Sequence, residues 1–564
     1  MANFIFVVAC AQHSEEIARF FAGPDLVTSE LGAGNRFFYL SRDAHNDHRG
    51  GGADFFKGHA IDHAQRKLIF SGAGEAPEVT SPVEGAYLRA QQIGDAVVVG
   101  NDVFSQLPLL HFSDDGVSAI SDSLFALTRL RRVLGLPVQI DERAVIGRAW
   151  INSISGQVLS ERTSVDGVRY ALPGTKLKID KASAKLTVDR TPAREFFKEE
   201  TGDYAETIRD GAQRVIALMA TMLQVPNSMT GISLSGGADS RMLLAAALAV
   251  DPERRTRINS NVKAKRDFSV ATDLSKAFHF DLNGPSRVPL SFQRLDQISQ
   301  WMLSCAGIYD PMYSLSMKTK NLTFFSVAGH GAELYKGNYG WRSVEAVNAT
   351  IPEAEGAFKA EVADGLAAMD VDPADPWGSE WHYIGYRNGL HGGRSTMTSL
   401  VSVKPLFHRS LVGVCHSPAN EYPAPRKSQP SMATDLLIAM NPELAKHPFD
   451  EDFKNLEASY VDERSRYLGR VETSEAYEIV GSPADVHAGP PNQFFQMAES
   501  EGLTGSFTDE RLLGLLDRAL ETAPGSISSA MAPMVMEAKK LRELPSNDRS
   551  RTATGKLLSF LHLA

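Results

Sequence analysis

The sequence predicts two consecutive domains: a layered antiparallel α+β domain over residues 1–192, and an α/β domain with a parallel sheet over residues 193–564. Short apolar runs separated by Gly, Asp and Pro clusters fill the first part, which is typical of antiparallel strands. After Thr191, strand-length apolar runs alternate with helical ones, which favours a parallel sheet with helical crossovers. A chain of 564 residues is also too long for one hydrophobic core.

Composition narrows the class of protein. Hydrophobic residues at 43% and charged residues at 22% are typical of globular domains. A net charge of -10 argues against a nucleic-acid partner. The longest apolar run near the middle, 242–250, is too short to span a bilayer. Three distant cysteines fit a reducing compartment. We therefore expect a cytoplasmic protein with no nucleic-acid or membrane partner, and a homodimer is compatible with the sequence.

In the first domain, the opening MANFIFVVAC lacks the basic start of a signal peptide and is predicted to be a buried strand. Further strands are predicted at RFFYLSR, RKLIFSG and DAVVVGND. Four histidines, His45, His48, His59 and His63, match no recurring metal-site spacing. We predict that they are exposed loop residues.

In the second domain, apolar residues at spacings of three and four predict an amphipathic helix over 193–223. Strands are then predicted at TGISLS, RINSNV and TFFSVAG, with a helix over 241–250 and another beginning near Asp267. The Pro, Gly and Asn residues between 482 and 505 predict a loop or linker.

One hexapeptide, Ser235-Gly236-Gly237-Ala238-Asp239-Ser240, lies between a predicted strand and a predicted helix. Adjacent glycines let backbone N–H groups approach an oxyanion, and the helix N-terminus favours negative charge. The serine hydroxyls can donate to phosphate, and a carboxylate is a hard ligand for Mg²⁺.

Two alternatives remain at this loop. It is an ordinary turn if Asp239 only caps the helix. It is a hydrolase nucleophile elbow if Ser235 attacks a substrate, although Ser233 stands where that motif has glycine. A Walker A sequence is absent, so a nucleotide would have to be held in another way.

The hexapeptide resembles the pyrophosphatase-type phosphate loop (PP-loop) of the asparagine synthetase family, which cleaves ATP between its alpha and beta phosphates. A second block, Gly329-His330-Gly331-Ala332-Glu333, is similar to an acidic element of that family, with Gly337 and Tyr339 further on. The resemblance implies that Mg²⁺ is held by Asp239 and Glu333, unless Glu333 is a surface acid in a turn. It implies that ATP and pyrophosphate contact Leu234, Ser235, Gly236, Gly237, Asp239, Ser240 and Gly329.

His330 stands where the resemblance would place the catalytic Tyr of β-lactam synthetase or the Glu of asparagine synthetase. An imidazole is a competent base at neutral pH, so we predict a catalytic role; the alternative is an ordinary loop or core histidine. Other positions depart from the family: Val401 and His408 replace two acids near the acceptor pocket. The lysine that would neutralise the adenylate is unassigned among Lys427, Lys404 and Lys336.

The first domain resembles the family's glutaminase half, an Ntn-hydrolase-like fold, at 94–99, Asn101-Asp102, Ile120-Ser121, Arg162-Thr163 and 172–174. Ala2 replaces the catalytic cysteine of that half, so glutamine is not expected to supply the amine. β-lactam synthetases and lasso-peptide macrolactam synthetases are similar in this loss.

The resemblance implies an ATP- and Mg²⁺-dependent ligase that joins a small-molecule or peptide carboxylate to an amine through an acyl-adenylate. One alternative is a noncatalytic nucleotide-binding protein on a decayed synthetase fold. The Ser235 hydrolase is the other.

Overall fold

The computed structural model describes residues 3–42, 45–46, 53–71, 82–149, 154–198, 202–285, 292–294, 296–312, 317–319, 322–346, 352–393, 401–422, 430–471, 473–483, 490–542 and 547–563. Within these ranges, no helix is both long enough and apolar enough to cross a membrane.

The strands, in chain order, are β1 (Ile5–Ala9), β2 (Leu26–Gly32), β3 (Asn35–Leu40), β4 (His45–Asn46), β5 (Phe55–Asp62), β6 (Lys67–Phe70), β7 (Glu84–Ile93), β8 (Ala96–Asn101), β9 (Leu110–Asp114), β10 (Val117–Ser121), β11 (Arg169–Tyr170), β12 (Thr175–Asp180), β13 (Leu186–Arg190), β14 (Ser228–Ser233), β15 (Arg257–Asn259), β16 (Phe292–Arg294), β17 (Met317–Thr319), β18 (Thr323–Val327), β19 (Val401–Val403) and β20 (Glu478–Val480).

The α-helices are α1 (Ala11–Phe20), α2 (Leu124–Val133), α3 (Glu142–Gly147), α4 (Ala193–Phe196), α5 (Tyr204–Gln224), α6 (Ala238–Val250), α7 (Lys265–Phe278), α8 (Gln297–Ser304), α9 (Glu333–Lys336), α10 (Pro352–Ala368), α11 (Gly378–His382), α12 (Gly389–Gly393), α13 (Arg409–Cys415), α14 (Met432–Met440), α15 (Pro442–Lys446), α16 (Ala458–Leu468), α17 (Asn492–Ser500), α18 (Asp509–Thr522), α19 (Ser528–Lys539) and α20 (Asp548–Leu558).

The front part of the chain is a layered pair of sheets. The first has the order β11-β9-β10-β1-β3-β2, and the second has the order β13-β12-β8-β7-β5-β6-β20. Side chains alternate across each strand, so Phe6 and Val8 join Val99 of the second sheet in the core between the sheets. Ile5 and Val7 face the opposite way, into the main core of the protein. The predicted buried opening strand and the layered antiparallel arrangement are confirmed, except that β20, from far along the chain, adds to the second sheet in parallel with β6.

The second part contains a parallel sheet of order β15-β14-β18-β19. β14 runs parallel to both β15 and β18, and β18 runs parallel to β19. The predicted strands and the predicted parallel pairing are confirmed, although β14 ends at Ser233 and α6 already begins at Ala238. The boundary between residues 192 and 193 stays a prediction, because the main core takes side chains from both sides of it.

Two sequence predictions about helices are wrong. The helix predicted over 193–223 is divided into α4 and α5, because Gly202 has a φ of +68° and the Asp203 side chain caps α5 by accepting from the Glu206 N–H at 2.6 Å. The loop predicted between 482 and 505 contains α17, which follows Pro491 and buries Phe494 in the core.

The histidine prediction is also wrong where the structure tests it. His59 lies in β5 and is 1% exposed, and the side chain of His63 is 5% exposed. His59 is buried because β5 pairs with β6 and β7 on either side. His63 lies in the turn after β5, where its ring contacts the Tyr477 hydroxyl and stacks on His408. The side chains of His45 and His48 lie outside the described residues.

Candidate active site

The two predicted motifs meet at the carboxyl ends of the two central strands of the parallel sheet. β14 is flanked by β15 on one side and β18 on the other, so the chain leaves β14 toward one neighbour and reaches the other neighbour later. This reversal is a topological switch point, where open α/β sheets bind ligands outside the carboxyl ends of their strands. The hexapeptide Ser235–Ser240, which we name the phosphate loop for its sequence resemblance, follows β14, and the Gly329–Glu333 block follows β18.

The loop itself is held in a tight turn. The Leu234 N–H donates to the Asn259 carbonyl at 2.7 Å, which ties the loop to β15. The Ser235 N–H donates to the Ser240 hydroxyl at 2.9 Å, and the two serine hydroxyls lie 3.1 Å apart. Gly237 is the N-terminal cap residue of α6 and has no side chain to occupy the helix start. No described side chain caps the start of α6, so this helix N-terminus can face an oxyanion, as helix N-termini commonly do.

Two glycines allow the close approach of neighbouring segments. A Cβ on Gly236 would lie 2.4 Å from the Cβ of Asp450, and a Cβ on Gly329 would lie 3.0 Å from the Cβ of Asp239. The backbone after β18 thus packs directly against the first turn of α6. This packing brings the two predicted metal-binding motifs into contact.

Lys336 contacts one of the two acids predicted to hold metal, and its charge acts on the other. Lys336 Nζ lies 2.8 and 2.7 Å from the two carboxylate oxygens of Asp239. Glu333 folds back so that its Oε2 accepts from the Gly331 N–H at 2.9 Å. Burial raises the pKa of Glu333, the charge of Asp239 raises it further, and the charge of Lys336 lowers it. The two acids are thus close enough for the charge of Asp239 to raise the pKa of Glu333.

These residues fit a magnesium ion. Mg²⁺ is commonly held by one or two carboxylates, with phosphate oxygens and water completing the shell. Asp239 and Glu333 supply two such groups. In the parts of the chain that the structure describes, no group of three or more His, Cys, Asp or Glu residues is arranged to hold a metal.

Two residues beside the loop were not predicted from the sequence. Asp267, at the start of α7, accepts the Gly236 N–H at 2.7 Å, so a carboxylate oxygen already occupies one loop donor. Arg241 is fully buried in α6 and donates to the carbonyls of His447 at 2.7 Å and of Pro448. These contacts join segments distant in the chain, and no local pattern predicts them.

Arg241 also ties the 444–450 segment to the phosphate loop. Its guanidinium lies over the Phe449 ring at 3.8 Å and donates to the Gly236 carbonyl at 3.4 Å. Burial lowers the pKa of Arg241 to about 10, partly offset by the charge of Asp450. The position of the loop therefore depends on a buried cation behind it.

His330 lies beside a second histidine that was not predicted. Its ring meets the His391 ring edge to face, with centroids 4.9 Å apart. His391 Nδ1 is 2.8 Å from the Tyr309 hydroxyl. The three side chains form a polar group next to the turn that carries Glu333. His391 lies in α12, 61 positions further along the chain, so its proximity to His330 could not be predicted.

The two positions that depart from the family pattern in sequence, Val401 and His408, are both buried. Val401 is fully buried in β19. His408 is fully buried, stacks on His63 with centroids 5.5 Å apart, and lies 3.8 Å from Asp210. Neither supplies a carboxylate, so no acid dyad is formed at these two positions.

Two of the three lysines considered for the adenylate are described, and of these Lys336 lies at the acid pair. Lys404 is 2% exposed, and its charge acts on His59 and Asp102 in the front part of the chain. Burial lowers the pKa of His59 to about 3, and the charge of Lys404 acts in the same direction. Burial raises the pKa of Asp102 to about 7, although backbone hydrogen bonds and the charge of Lys404 partly offset this. Lys427 lies outside the described residues. Lys454 contacts Asp450 at 3.0 Å beside the loop and was not considered from the sequence.

Ser235 does not have the partners of a hydrolytic nucleophile among the described residues. Its hydroxyl contacts the Ser240 hydroxyl at 3.1 Å and, weakly, the Gly237 N–H at 3.5 Å. A nucleophile elbow requires a histidine within hydrogen-bond reach of that oxygen. The geometry therefore favours a phosphate loop over a hydrolase.

No protein-family model matches the chain, and no curated protein matches it. One similar solved structure, described as the allosteric regulatory enzyme of purine biosynthesis, is 9% identical with a TM-score of 0.20; the match covers 63% of this chain and 78% of that one. Another, glutamine phosphoribosylpyrophosphate amidotransferase from B. subtilis complexed with ADP and GMP, is 9% identical with a TM-score of 0.18, over 59% and 77%. TM-scores this low do not establish a shared fold. The fold is therefore described from the sheet topology alone.

Proposed function

We propose that the protein is an ATP-dependent ligase of the asparagine-synthetase type that joins a carboxylate to an amine through an acyl-adenylate. The observation that supports this most directly is the meeting of Asp239 and Glu333 beside a glycine turn at the switch point of a parallel sheet. A helix-capping turn alone would not explain why a second acid-bearing turn packs against the first.

In the proposed reaction, the substrate carboxylate attacks the alpha phosphorus of ATP, and pyrophosphate leaves. An amine then attacks the acyl carbonyl, AMP leaves with the bonding electrons, and the amine gives up a proton. The loop amides and the hydroxyls of Ser235 and Ser240 orient the phosphates. Most of the acceleration would come from positioning and from charge neutralisation.

Asp239 and Glu333 would hold Mg²⁺, which supplies positive charge against the phosphate oxygens when bound. Lys336, which contacts Asp239, could turn its ammonium toward the phosphates if the ion took its place. This assigns Lys336, rather than Lys404, as the lysine nearest to the charge that develops. His330, with His391 beside it, is proposed to take the proton from the amine.

The amine is proposed to arrive with a second substrate or from the same molecule. Ala2 lies outside the described residues, but its methyl side chain cannot form the thioester that glutamine hydrolysis requires. The front half, proposed to be Ntn-hydrolase-like, would then serve as a scaffold. The product would be a small amide, a peptide or a macrolactam.

The test is pyrophosphate release from ATP and Mg²⁺ across a panel of carboxylates, with and without amines. We expect carboxylate-dependent release that is lost in Asp239→Ala. The matched control is Asp273→Ala, because Asp273 is a largely exposed acid of α7 with a single weak lysine contact at 3.7 Å. Equal loss in both variants, or release unchanged in Asp239→Ala, contradicts the proposal.

A nucleotide-binding protein without catalysis is the second candidate. The buried Val401 and the buried His408 favour it, because the acceptor side has lost two acids. ATP binding without pyrophosphate release across the whole panel would support this candidate over the ligase.

A further inference from the structure

A second pocket lies away from the phosphate loop, on the outer face of the second sheet. It has a volume of about 130 Å³ and is lined by side chains of β7, β8 and β12. Leu88, Ala90, Val97 and Val99 point to the other face of this sheet, into the core between the sheets. The pocket is therefore separated from that core by the sheet itself.

A glycine creates the hollow. Gly100 in β8 is directly opposite Arg89 in β7. A Cβ built on Gly100 would meet no heavy atom within 4 Å, so the space beside Arg89 is open. The volume is similar to that of the roughly 150 Å³ cavities that hold a benzene-sized molecule.

Two cations line the pocket, and the acids whose charges act on them, Asp54 and Asp189, are not among its lining residues. Arg89 and Lys176 line it, and none of the described lining residues is acidic. Arg89 Nε and Nη1 are buried and donate no hydrogen bond to the described part of the chain. Burial lowers the pKa of Arg89, while the charge of Asp54 raises it. A buried guanidinium of this kind is costly until an anion or acceptor reaches it.

An apolar wall completes the pocket. Tyr87, Ile93 and Val98 supply apolar surface, and Ile93 is 57% exposed. Thr175 also borders the pocket, but it is on the face of β12 that carries Leu177 into the core between the sheets. The combination of a cationic fork and apolar walls matches a carboxylate that bears a short hydrocarbon group.

We propose that this pocket binds a small organic carboxylate with an apolar tail, with the carboxylate toward Arg89 and Lys176 and the tail against Ile93 and Val98. The site lies outside the phosphate loop and does not depend on the ligase activity. The carboxylate accepts hydrogen bonds from the Arg89 guanidinium and lies within the field of the Lys176 ammonium.

The experiment titrates the full-length protein with isovalerate, isopentanol and inorganic phosphate and follows the methyl NMR signals of Ile93 and Val98. We expect saturable shifts of both signals with isovalerate, weaker binding of phosphate, which lacks the tail, and no saturable shifts with isopentanol, which lacks the charge. Isopentanol shifting these signals as strongly as isovalerate, or phosphate binding as tightly, overturns the assignment.

Two variants test the site by different means. Arg89→Met removes the charge and should weaken isovalerate binding by about tenfold or more. Gly100→Val fills the hollow on a strand that suits a β-branched residue and should abolish binding. Arg36→Met is the control, because Arg36 is an exposed arginine of β3 paired with Glu30. Wild-type binding in either pocket variant overturns the proposal, and Lys176→Met repeats the charge test at an exposed position if Arg89→Met does not fold.

Discussion

Replacing Lys336 by methionine removes the internal cation of the Asp239–Glu333 pair. The ammonium makes charge-assisted contacts of 2.7 and 2.8 Å with Asp239, but the two side chains are 36% and 29% exposed. Contacts of this type contribute about 1.5–3 kcal/mol when buried. With a third of each side chain in water, we expect a loss of about 1–2 kcal/mol in the free energy of unfolding.

The same change should strengthen binding of Mg²⁺ without nucleotide. In the wild type the ion must displace the Lys336 ammonium from Asp239. Removing the ammonium should therefore make Mg²⁺ binding more favourable by the same amount, about 1–2 kcal/mol, which corresponds to an affinity about 5- to 30-fold higher. The assay is the unfolding temperature measured against Mg²⁺ concentration. We expect Lys336→Met to unfold at a lower temperature than the wild type in EDTA and to recover more of its stability as Mg²⁺ is added.

The control is Lys178→Met, which breaks a 2.6 Å ion pair with Asp189 in the front part of the chain. Its stability should respond to Mg²⁺ as the wild type does. If Lys336→Met also gains no more from Mg²⁺ than the wild type, the two acids do not form a cation site, and the reasoning behind both the metal assignment and the competition is refuted.

Three further changes test the same region. Glu333→Gln should stabilise the protein at neutral pH and have no effect below about pH 4.5. The reason is that the pKa of Glu333 is raised above its usual 4.5 in the folded state, so the carboxylate costs stability as the pH rises through the folded value. A pH series of unfolding temperatures checks this. Gly331→Ala should lower the free energy of unfolding by at least about 2 kcal/mol, since φ is +107° and a Cβ would lie 2.5 Å from the Leu406 carbonyl. Gly340→Ala, where φ is positive but the space is open, should lower it less. Urea unfolding measures both. Arg241→Met should cost about 3 kcal/mol by leaving buried carbonyls without donors, as measured by urea unfolding.

Much of the fold and the centre of the site could be predicted, because both depend on local patterns. Alternating apolar runs identified the strands, and the Gly236-Gly237 pair between a strand and a helix identified the loop. The meeting of Asp239 with Glu333 also followed from sequence, since both motifs come after strands of one parallel sheet and the carboxyl ends of such strands share an edge.

The remaining contacts depend on tertiary packing. Asp267 reaches Gly236 across 31 residues, and His391 meets His330 only because α12 packs beside the β18 turn. Neither Asp267 nor His391 belongs to a local sequence motif that would have predicted its contact with the site. The division of the 193–223 helix was missed for a different reason: the apolar periodicity continues across Gly202, while the backbone there turns to positive φ.

The position of β20 has a consequence for how the chain is made. β20 pairs in parallel with β6, and close by the Arg66 side chain donates to the Glu475 carbonyl at 2.7 Å, 409 residues away. At ordinary rates of synthesis, β6 is made roughly 20 to 80 s before its last neighbour. During that interval the backbone groups on one side of Leu68 and Ile69 are exposed as an open edge, which other nascent chains can pair with. Folding yield in cells should therefore depend on how well that edge is protected until residue 480 has left the ribosome.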